Sequence, residues 1–289
     1  MTETLASVRQ VSHTQRAWSR FRRNRAALAG LAAVLIGVIL ALAAHVVAPY
    51  DPVAMDLAVS RQPPSAQHLL GTDELGRDIL SRIIYGFRVS LTIGLVSTSI
   101  GLVFGLLVGA PAGYSGGALD MLLMRAVDVL MSFPTILVAI IVVTILGPGL
   151  YNAMVAVGVA QVPLYSRLVR SLVLKLKNED YVLAARSLGA KHGRIISLHI
   201  LPNCLSPLIV QATLNIASAI LSAAALGFLG LGAPAPIPEW GTMLSKGRLY
   251  MRVSPHISIF PGLAIMVTVL AFNLVGDGLR DALDVRLSR

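Results

Sequence analysis

Residues 175–203 read KLKNEDYVLAARSLGAKHGRIISLHILPN, a polar stretch between two long apolar runs. Nothing in it is apolar for long enough to cross a bilayer. Its first part predicts a short helix: Asn178 is placed to cap the N-terminus, and Glu179 and Asp180 put negative charge on the first turn, where the helix dipole favours it. Tyr181, Ala184, Ala185 and Leu188 recur at i, i+3, i+4 and i+7 and therefore share one small, apolar face. Gly189 follows where a helix-ending glycine belongs. A second helical piece is expected from Lys191 to about His199, with Ile195, Ile196 and His199 on one side. Pro202 is expected to stop it and to start the next element. The stretch reads as a helix, turn, helix unit projecting into water. On spacing alone, a solvated basic loop fits it equally well.

The apolar runs on either side set the context. The chain has 289 residues, of which 55% are hydrophobic and 13% charged, and its mean hydropathy is +0.75. The charged share is about half the ~25% of a soluble domain. Apolar residues gather in long runs rather than at amphipathic spacing, so a polytopic membrane protein is expected. The formal charge is +10. A nucleic-acid-binding protein would cluster that charge on a soluble face, whereas here it flanks apolar runs, so no nucleic-acid partner is expected. Cys204 is the one cysteine, which excludes an intrachain disulfide and suits a small packing residue.

Six runs are read as spans. Residues 1–25 form a basic N-terminus in which Trp18 and Phe21 suit an amphipathic turn at the membrane surface. Residues 26–48 form the first span, too long for a signal-peptide core and therefore a retained anchor. Residues 49–86 are the longest polar segment, with an amphipathic helix from Asp78 leading into the second span. Its carboxylates Asp73, Glu74 and Asp78 lie among Arg77 and Arg82. They read as ion pairs and helix-start residues, not as a metal site, because no His or Cys stands at ligand spacing. The second span covers 87–110, with Gly101, Gly105 and Gly109 four apart as a ridge for close helix packing. AGYSGGALD reads as a turn. Arg125 and Asp128, at i and i+3, are expected to pair at the interface. The third span covers 129–146 with Pro134 near its start, and the fourth covers 150–169, interrupted by Pro163. The fifth covers 205–231, where Asn215, Ser218 and Ser222 share a face that suits a polar passage and helix–helix hydrogen bonding equally. Trp240 reads as an interfacial anchor and Glu239 as a surface charge. Residues 257–275 form the sixth span and 277–289 a short charged tail.

With both termini inside, seventeen of the 24 Lys and Arg lie on the inner side. Seven lie outside: Arg61, Arg77, Arg82, Arg88, Lys246, Arg248 and Arg252. The basic excess inside places the 173–203 loop in the cytoplasm. The sequence carries no Gly-rich phosphate loop ending in Lys-Ser/Thr and no nucleophile elbow or zinc-protease motif. No catalytic residue and no bound cofactor are therefore expected.

Three segments resemble a known family. Ala184-Ala185, Gly189 and Leu201-Pro202 are similar to the "EAA" loop of ABC importer permeases, although Leu183 stands where that family usually has Glu and His199 where an aliphatic residue is common. GTDELGRDILSRIIYGFRVSL resembles the signature after the first span in the dipeptide, oligopeptide and nickel branch, carried here by Gly71, Thr72, Asp73, Gly76, Arg77 and Asp78. FLGLGAPAPIPEWGTMLSKGR, with Glu239 and Trp240, is similar to a second outer segment of that branch. The resemblance implies an all-α membrane protein of six transmembrane helices with type I ABC importer permease architecture, residues 87–276 forming a five-helix core. It implies a multi-pass protein of the bacterial inner membrane. It further implies a second homologous permease, one or two cytoplasmic ATPase subunits that hold ATP and Mg, and a periplasmic or lipid-anchored substrate-binding protein. The cargo expected is a dipeptide or short peptide, with glutathione or nickel as alternatives. The ATPase-coupling residues implied are Tyr181, Ala184, Ala185, Leu188, Gly189 and Pro202. A secondary transporter or channel is the reading from another class, but no charge stands near a span centre to couple an ion gradient.

Overall fold

The computed structural model describes residues 18–283, which are almost wholly helical, without a β-strand. Helices are the expected answer in lipid, where each backbone N–H and C=O must be bonded within its own segment. The elements are α1 (Arg25–Leu42), a short continuation α2 (Ala44–Val47), α3 (Ile79–Ser115), α4 (Gly117–Met131), α5 (Thr135–Leu146) and α6 (Leu150–Leu176). After these come α7 (Asp180–Ser187), α8 (His192–Ile195), α9 (Leu201–Phe228), α10 (Trp240–Gly247) and α11 (His256–Leu283). Readings that fall on residues 1–17 and 284–289 lie outside the described residues.

The pair α3 and α6 forms the centre. Gly101, Gly105, Gly109 and Gly113 lie four apart along α3, and α6 lies directly against them. A Cβ on Gly101 would stand 2.9 Å from the Cβ of Gln161, and one on Gly113 would stand 2.8 Å from the Arg170 carbonyl. On α6, Gly158 returns the contact: its Cβ would meet that of Ile100 at 2.7 Å. Ser97 seals the crossing by donating to the Met154 carbonyl at 2.8 Å. Small residues of α9 fill the other side of α6, where Ala219 and Ala223 share a core with Ala156, Val157, Val138 and Val143. At the periphery, α1 lies on α11, with Gly30 against the Ala271 carbonyl and Ala27 against Gly278. Its outer face leaves Leu35, Ile36, Ile39 and Leu42 exposed, as a lipid-facing helix requires. Phe21 is buried beside Gly278 and stacks on exposed Trp18.

Several boundaries differ from the sequence expectations. Four helices are long and apolar enough to cross a membrane, α1, α3, the continuous 192–228 helix and α11, or five if the α4–α5 pair is one span. The fourth apolar run is helix α6, which is not among them. Its polar residues Asn152, Gln161, Arg167 and Arg170 face partners inside the protein, so its sequence is less apolar than that of a lipid-facing helix. The third span is not one straight helix. α4 and α5 meet at 92°, because Ser132 closes α4 by donating to the Asp128 and Val129 carbonyls and Pro134 is extended at φ −53°, ψ 134°. Asp128 pairs with Arg167 at 2.6 Å instead of with Arg125, and Asp120 takes Arg170 in a two-pronged bond at 2.6 and 2.7 Å. These two pairs tie α4 to α6. AGYSGGALD is mostly helix: α3 runs to Ser115, and only Gly116 and Gly117 turn, at φ 67° and 58°. The tail expected from residue 277 is helical as far as Leu283.

The close crossing of α3 and α6 makes Gly105 intolerant of a single methyl, because a Cβ there overlaps that of fully buried Tyr165. Gly105→Ala should lower the thermal midpoint of the detergent-purified protein by an overpacking cost of about 1–3 kcal/mol. Gly262→Ala, with its nearest neighbour at 3.7 Å, should raise it slightly, since Ala is about 0.5–1 kcal/mol better in a helix. A lower midpoint for both variants, or for neither, would remove the ridge from this account.

Candidate functional site

The residues singled out in the sequence fall in three separate places. The first is the unit formed by α7 and α8. The N-cap of α7 is Glu179, with no side-chain capping bond, while Asn178 donates back to the Leu174 carbonyl at 3.4 Å. Tyr181 is 41% and Leu188 is 89% exposed, so the face shared with Ala184 and Ala185 is open. The opposite side is anchored by Val182, which is fully buried with Val173, Ile195, Ile200 and Cys204. Gly189 ends the helix at φ +81°, with nothing within 4 Å of where a Cβ would stand. That backbone is the left-handed one that favours glycine.

Pro202 does not end the second helical piece. The chain continues from α8 through a π turn, Ile196–Ile200, into α9. The ring has no N–H to give the Leu198 carbonyl and crowds it, and the helix answers by widening: Leu201 N–H bonds the Ile196 carbonyl, five residues back. Asn203 takes up the slack, donating to the His199 carbonyl at 2.7 Å and to Tyr181 Oη at 3.3 Å. Tyr114 Oη and His192 Nδ1 are 2.9 Å apart, and Lys177 Nζ donates to the Gly113 carbonyl at 2.8 Å. The unit is thereby tied to the ends of α3, α6 and α9.

The second place is a cavity of about 230 Å3 between α5, α6 and α9. Asn215, Ser218 and Ser222 all line it. Gln161, on α6, joins them and was not singled out in the sequence. Gln211 donates to Asn215 Oδ1 at 3.0 Å, and Asn215 Nδ2 reaches Gln161 Oε1 at 3.5 Å. The lining is neutral, with amides and hydroxyls and no charged side chain.

The third place is the loop before α3, where the six signature residues make one small fold. Thr72 and Asp78 face each other across a bridge. The Asp73 carboxylate accepts from the backbone N–H of Leu75 and Arg77 and, at 2.7 Å, from Arg77 Nε. Arg77 is 1% exposed and reaches Glu74 as well, at 3.1 Å. Asp78 caps α3 through Ser81 N–H at 2.8 Å and lies 3.0 Å from His68 Nδ1. Thr72 ties the loop to Gln62 and Val59. Gly71 N–H donates to the His68 carbonyl at 2.9 Å. Gly76, at φ +75°, lies against the Asp56 carbonyl, where no side chain fits.

Glu239 and Trp240 lie beneath this loop. Neither is at the surface: Glu239 is 2% and Trp240 1% exposed. Trp240 packs on Gly86 and Phe87 and donates to the Ile83 carbonyl. Glu239 caps α10, accepting from the N–H groups of Gly241 and Thr242, both at 2.7 Å. Burial pushes its carboxyl up to about 7, and the two backbone N–H groups hold it from rising further.

Residues 101–289 match the family of binding-protein-dependent transport system inner membrane components, and residues 12–64 match the N-terminal transmembrane domain of oligopeptide transport permease C. The chain belongs to this family. A dipeptide transport system permease of Alkalihalophilus pseudofirmus is 47% identical over 277 residues, covering 96% of this chain and 91% of the relative. A di/tripeptide transport permease of Pseudomonas aeruginosa is 50% identical, covering 93% and 91%. A glutathione transport permease of Pectobacterium atrosepticum is 47% identical, covering 93% and 90%. Among solved structures, the inward-facing MetNI methionine ABC transporter aligns with a TM-score of 0.58 at 22% identity, over 71% of this chain and 97% of that one. That likeness shows the fold, the type I ABC importer permease architecture.

In this permease, the burial of Glu239 and Trp240 has no local sequence signal. Proline-punctuated segments are ordinarily at the surface, and of the glycines that admit these side chains Gly86 is distant in the chain, while Gly227 lies on α9 across the intervening turn. The Glu239 carboxyl sets a pH dependence. The native protein holds this proton up to about pH 7, whereas the unfolded chain releases it near the ordinary ~4.3. Native protein therefore binds more protons between these values, and stability is highest at the acid end and falls as pH rises to about 7. The thermal midpoint of wild type should follow that slope, and Glu239→Gln, which cannot ionise, should flatten it. An unchanged slope in Glu239→Gln would assign the pH dependence to another group.

Proposed function

We propose that this chain is one of two permease subunits of a peptide importer driven by separate ATPase subunits, and that α7 is the element through which those ATPases act. The observation that carries the reading is the open face of α7. Tyr181, Ala184, Ala185 and Leu188, with exposed Leu183 beside them, leave a small apolar surface open on a short helix beyond the spans, while Val182 fixes the other side to the core. Such a surface suits insertion into a cleft on a partner. The basic excess of the inner segments supports placing this unit in the cytoplasm, with the signature loop outside and the termini inside. The six-span division, with residues 26–48 as an outlying anchor and 87–276 as the core, belongs to the same reading.

ATP binding closes the ATPases, their clefts carry α7 and α8 as a rigid body, and the two permeases exchange inward- and outward-facing arrangements. Moving such an equilibrium from 1:99 to 99:1 takes about 5.5 kcal/mol of differential binding. ATP and a docked binding protein supply it together. Cargo passes between the two permeases along the neutral cavity of Gln161, Asn215, Ser218 and Ser222. The names of the relatives favour dipeptides and short peptides, with glutathione as the second reading. The membrane is the bacterial inner one, and this chain itself hydrolyses nothing.

Two measurements follow. Space around Gly189 is open, so substitution there acts through the backbone, where a left-handed residue costs about 1–2 kcal/mol. Gly189→Asn tolerates that conformation and should transport nearly normally. Gly189→Leu should lower uptake and transport-linked ATP hydrolysis several-fold while the protein still accumulates in the membrane. Normal uptake with Gly189→Leu in the assembled complex would sink the coupling role. For the pathway, single cysteines replacing Asn215, Ser218 or Ser222, with Cys204 removed, should react with a small water-soluble thiol reagent in at least one nucleotide state. Protection of all three in every state would make them helix-packing residues.

A further inference from the structure

A second polar cavity, of about 190 Å3, opens between the start of α3, the end of α9 and α10. Arg82, Lys246, Thr242 and Ser245 supply its polar lining, and the lining includes two cations and no carboxylate. Arg82 is 3% exposed and is held from behind: Nη1 donates to the Pro52 carbonyl at 2.8 Å, and Nε lies 3.5 Å from Asp73. The Lys246 side chain is 42% exposed, with Nζ 3.9 Å from Glu74. Around the cavity, Arg77, Arg82 and Lys246 stand against Asp73 and Glu74, three cations to two carboxylates. The carboxylate of Asp78 is turned away from these cations: it caps α3 and faces His68. Glu239 lies behind the Gly227 wall, its oxygens already accepting from two backbone N–H groups. The two cations that line this half-enclosed space therefore meet no carboxylate on its wall.

The hydroxyls narrow the chemistry. Thr242 Oγ1 donates to the Glu239 carbonyl and Ser245 Oγ to the Phe228 carbonyl, each at 2.8 Å. Their protons are committed, and their oxygens are left to accept. A fully ionised inorganic anion such as sulfate has no proton to offer them. The terminus of a peptide has both parts: a carboxylate for the cations and, next to it, an amide N–H for a hydroxyl oxygen. We propose that this cavity is a carboxylate site that receives the C-terminal end of a peptide cargo at the outer side of the permease. The inference rests on the peptide-importer reading above and adds to it the group by which this chain holds the cargo.

The test places a cysteine on the wall of the cavity, Ala235→Cys with Cys204→Ser, in the assembled transporter purified in detergent without binding protein. Labelling by N-ethylmaleimide is followed with added dialanine, dialanine amide or sodium sulfate. Dialanine should slow labelling and its amide should not. Lys246→Gln should raise the half-protecting concentration of dialanine about tenfold, and Lys246→Arg should restore it. Equal protection by dialanine and its amide, protection by sulfate as strong as by dialanine, or no protection at all would each overturn the proposal. ATP-driven uptake of dialanine by the same variant with its binding protein is measured in parallel. Uptake without protection sinks the carboxylate site alone, whereas a transporter that moves no peptide sinks the importer reading beneath it.

Discussion

Between Gly101 and Gly113, α3 has no room for a side chain on the face that meets α6. The rest of the molecule depends on that contact. Lipid gives two helices no hydrophobic reason to associate, since acyl chains are as apolar as Leu, so close backbone approach and interhelical bonds must hold them. Once α6 is fixed on α3 in this way, its remaining faces become available for other work. One presents Gln161 to the neutral cavity. Another presents Arg167 and Arg170 to the carboxylates of α4. Its end presents Lys177 to the Gly113 carbonyl and leads into α7. A helix with so many polar duties cannot also be apolar throughout, which is why α6 is the least membrane-like of the long helices in sequence while lying at the centre of the fold.

The loop before α3 follows a different rule. The signature loop is stabilised by ionic and backbone bonds rather than by apolar contacts, and its charged residues are buried: Asp73, Arg77, Asp78 and Arg82 are each less than 5% exposed. Burying charge is costly unless every group has a partner. Asp73 meets this by accepting three bonds, two of them from backbone, so its geometry is fixed by the loop and not by a flexible side chain. Removing Arg77 would strand that carboxylate, whereas removing the whole cluster would cost less. The loop is thus specific rather than merely stable. It holds the first turn of α3 and Arg82 in one position.

Much of this was legible in the sequence. The apolar runs marked every long helix, Gly189 marked the left-handed turn, and the i, i+3, i+7 spacing put Asn215, Ser218 and Ser222 on the one face that lines a cavity. What the sequence hid depends on distant partners. Arg125 and Asp128 have the spacing of a helix pair, but Arg167 reaches Asp128 across 39 residues with a better geometry. Pro202 is a helix breaker by local rules, and a π turn with the Asn203 amide overrode them. Glu239 and Trp240 sit in a segment with every mark of a surface loop and are buried because Gly86, far away in the chain, and Gly227, on the preceding helix, leave space for them. Gln161 went unnoticed because a lone polar residue in a span has no partner visible until α9 is folded beside it.

The continuity past Pro202 bears on how the two sides communicate. From His192 to Phe228 the chain is one helical rod of 37 residues, about 55 Å at 1.5 Å per residue. Its first end belongs to the unit behind the open face of α7. Asn215, Ser218 and Ser222 lie along its middle, and Gly227, near its far end, lies against both Glu239 and the outer cavity. Had Pro202 broken the helix, a displacement of α7 would have been absorbed in a hinge before reaching the cavity. With the rod intact, bending is left to the π turn, where the Asn203 bonds to His199 and Tyr181 restrict it, and to Pro207, which gives the Asn203 carbonyl no N–H. The continuous helix thus joins the α7–α8 unit to the cavity-lining amide and hydroxyls, which face Gln161 on α6. The fixed pair and the rod form two bodies, and the neutral cavity is the seam between them.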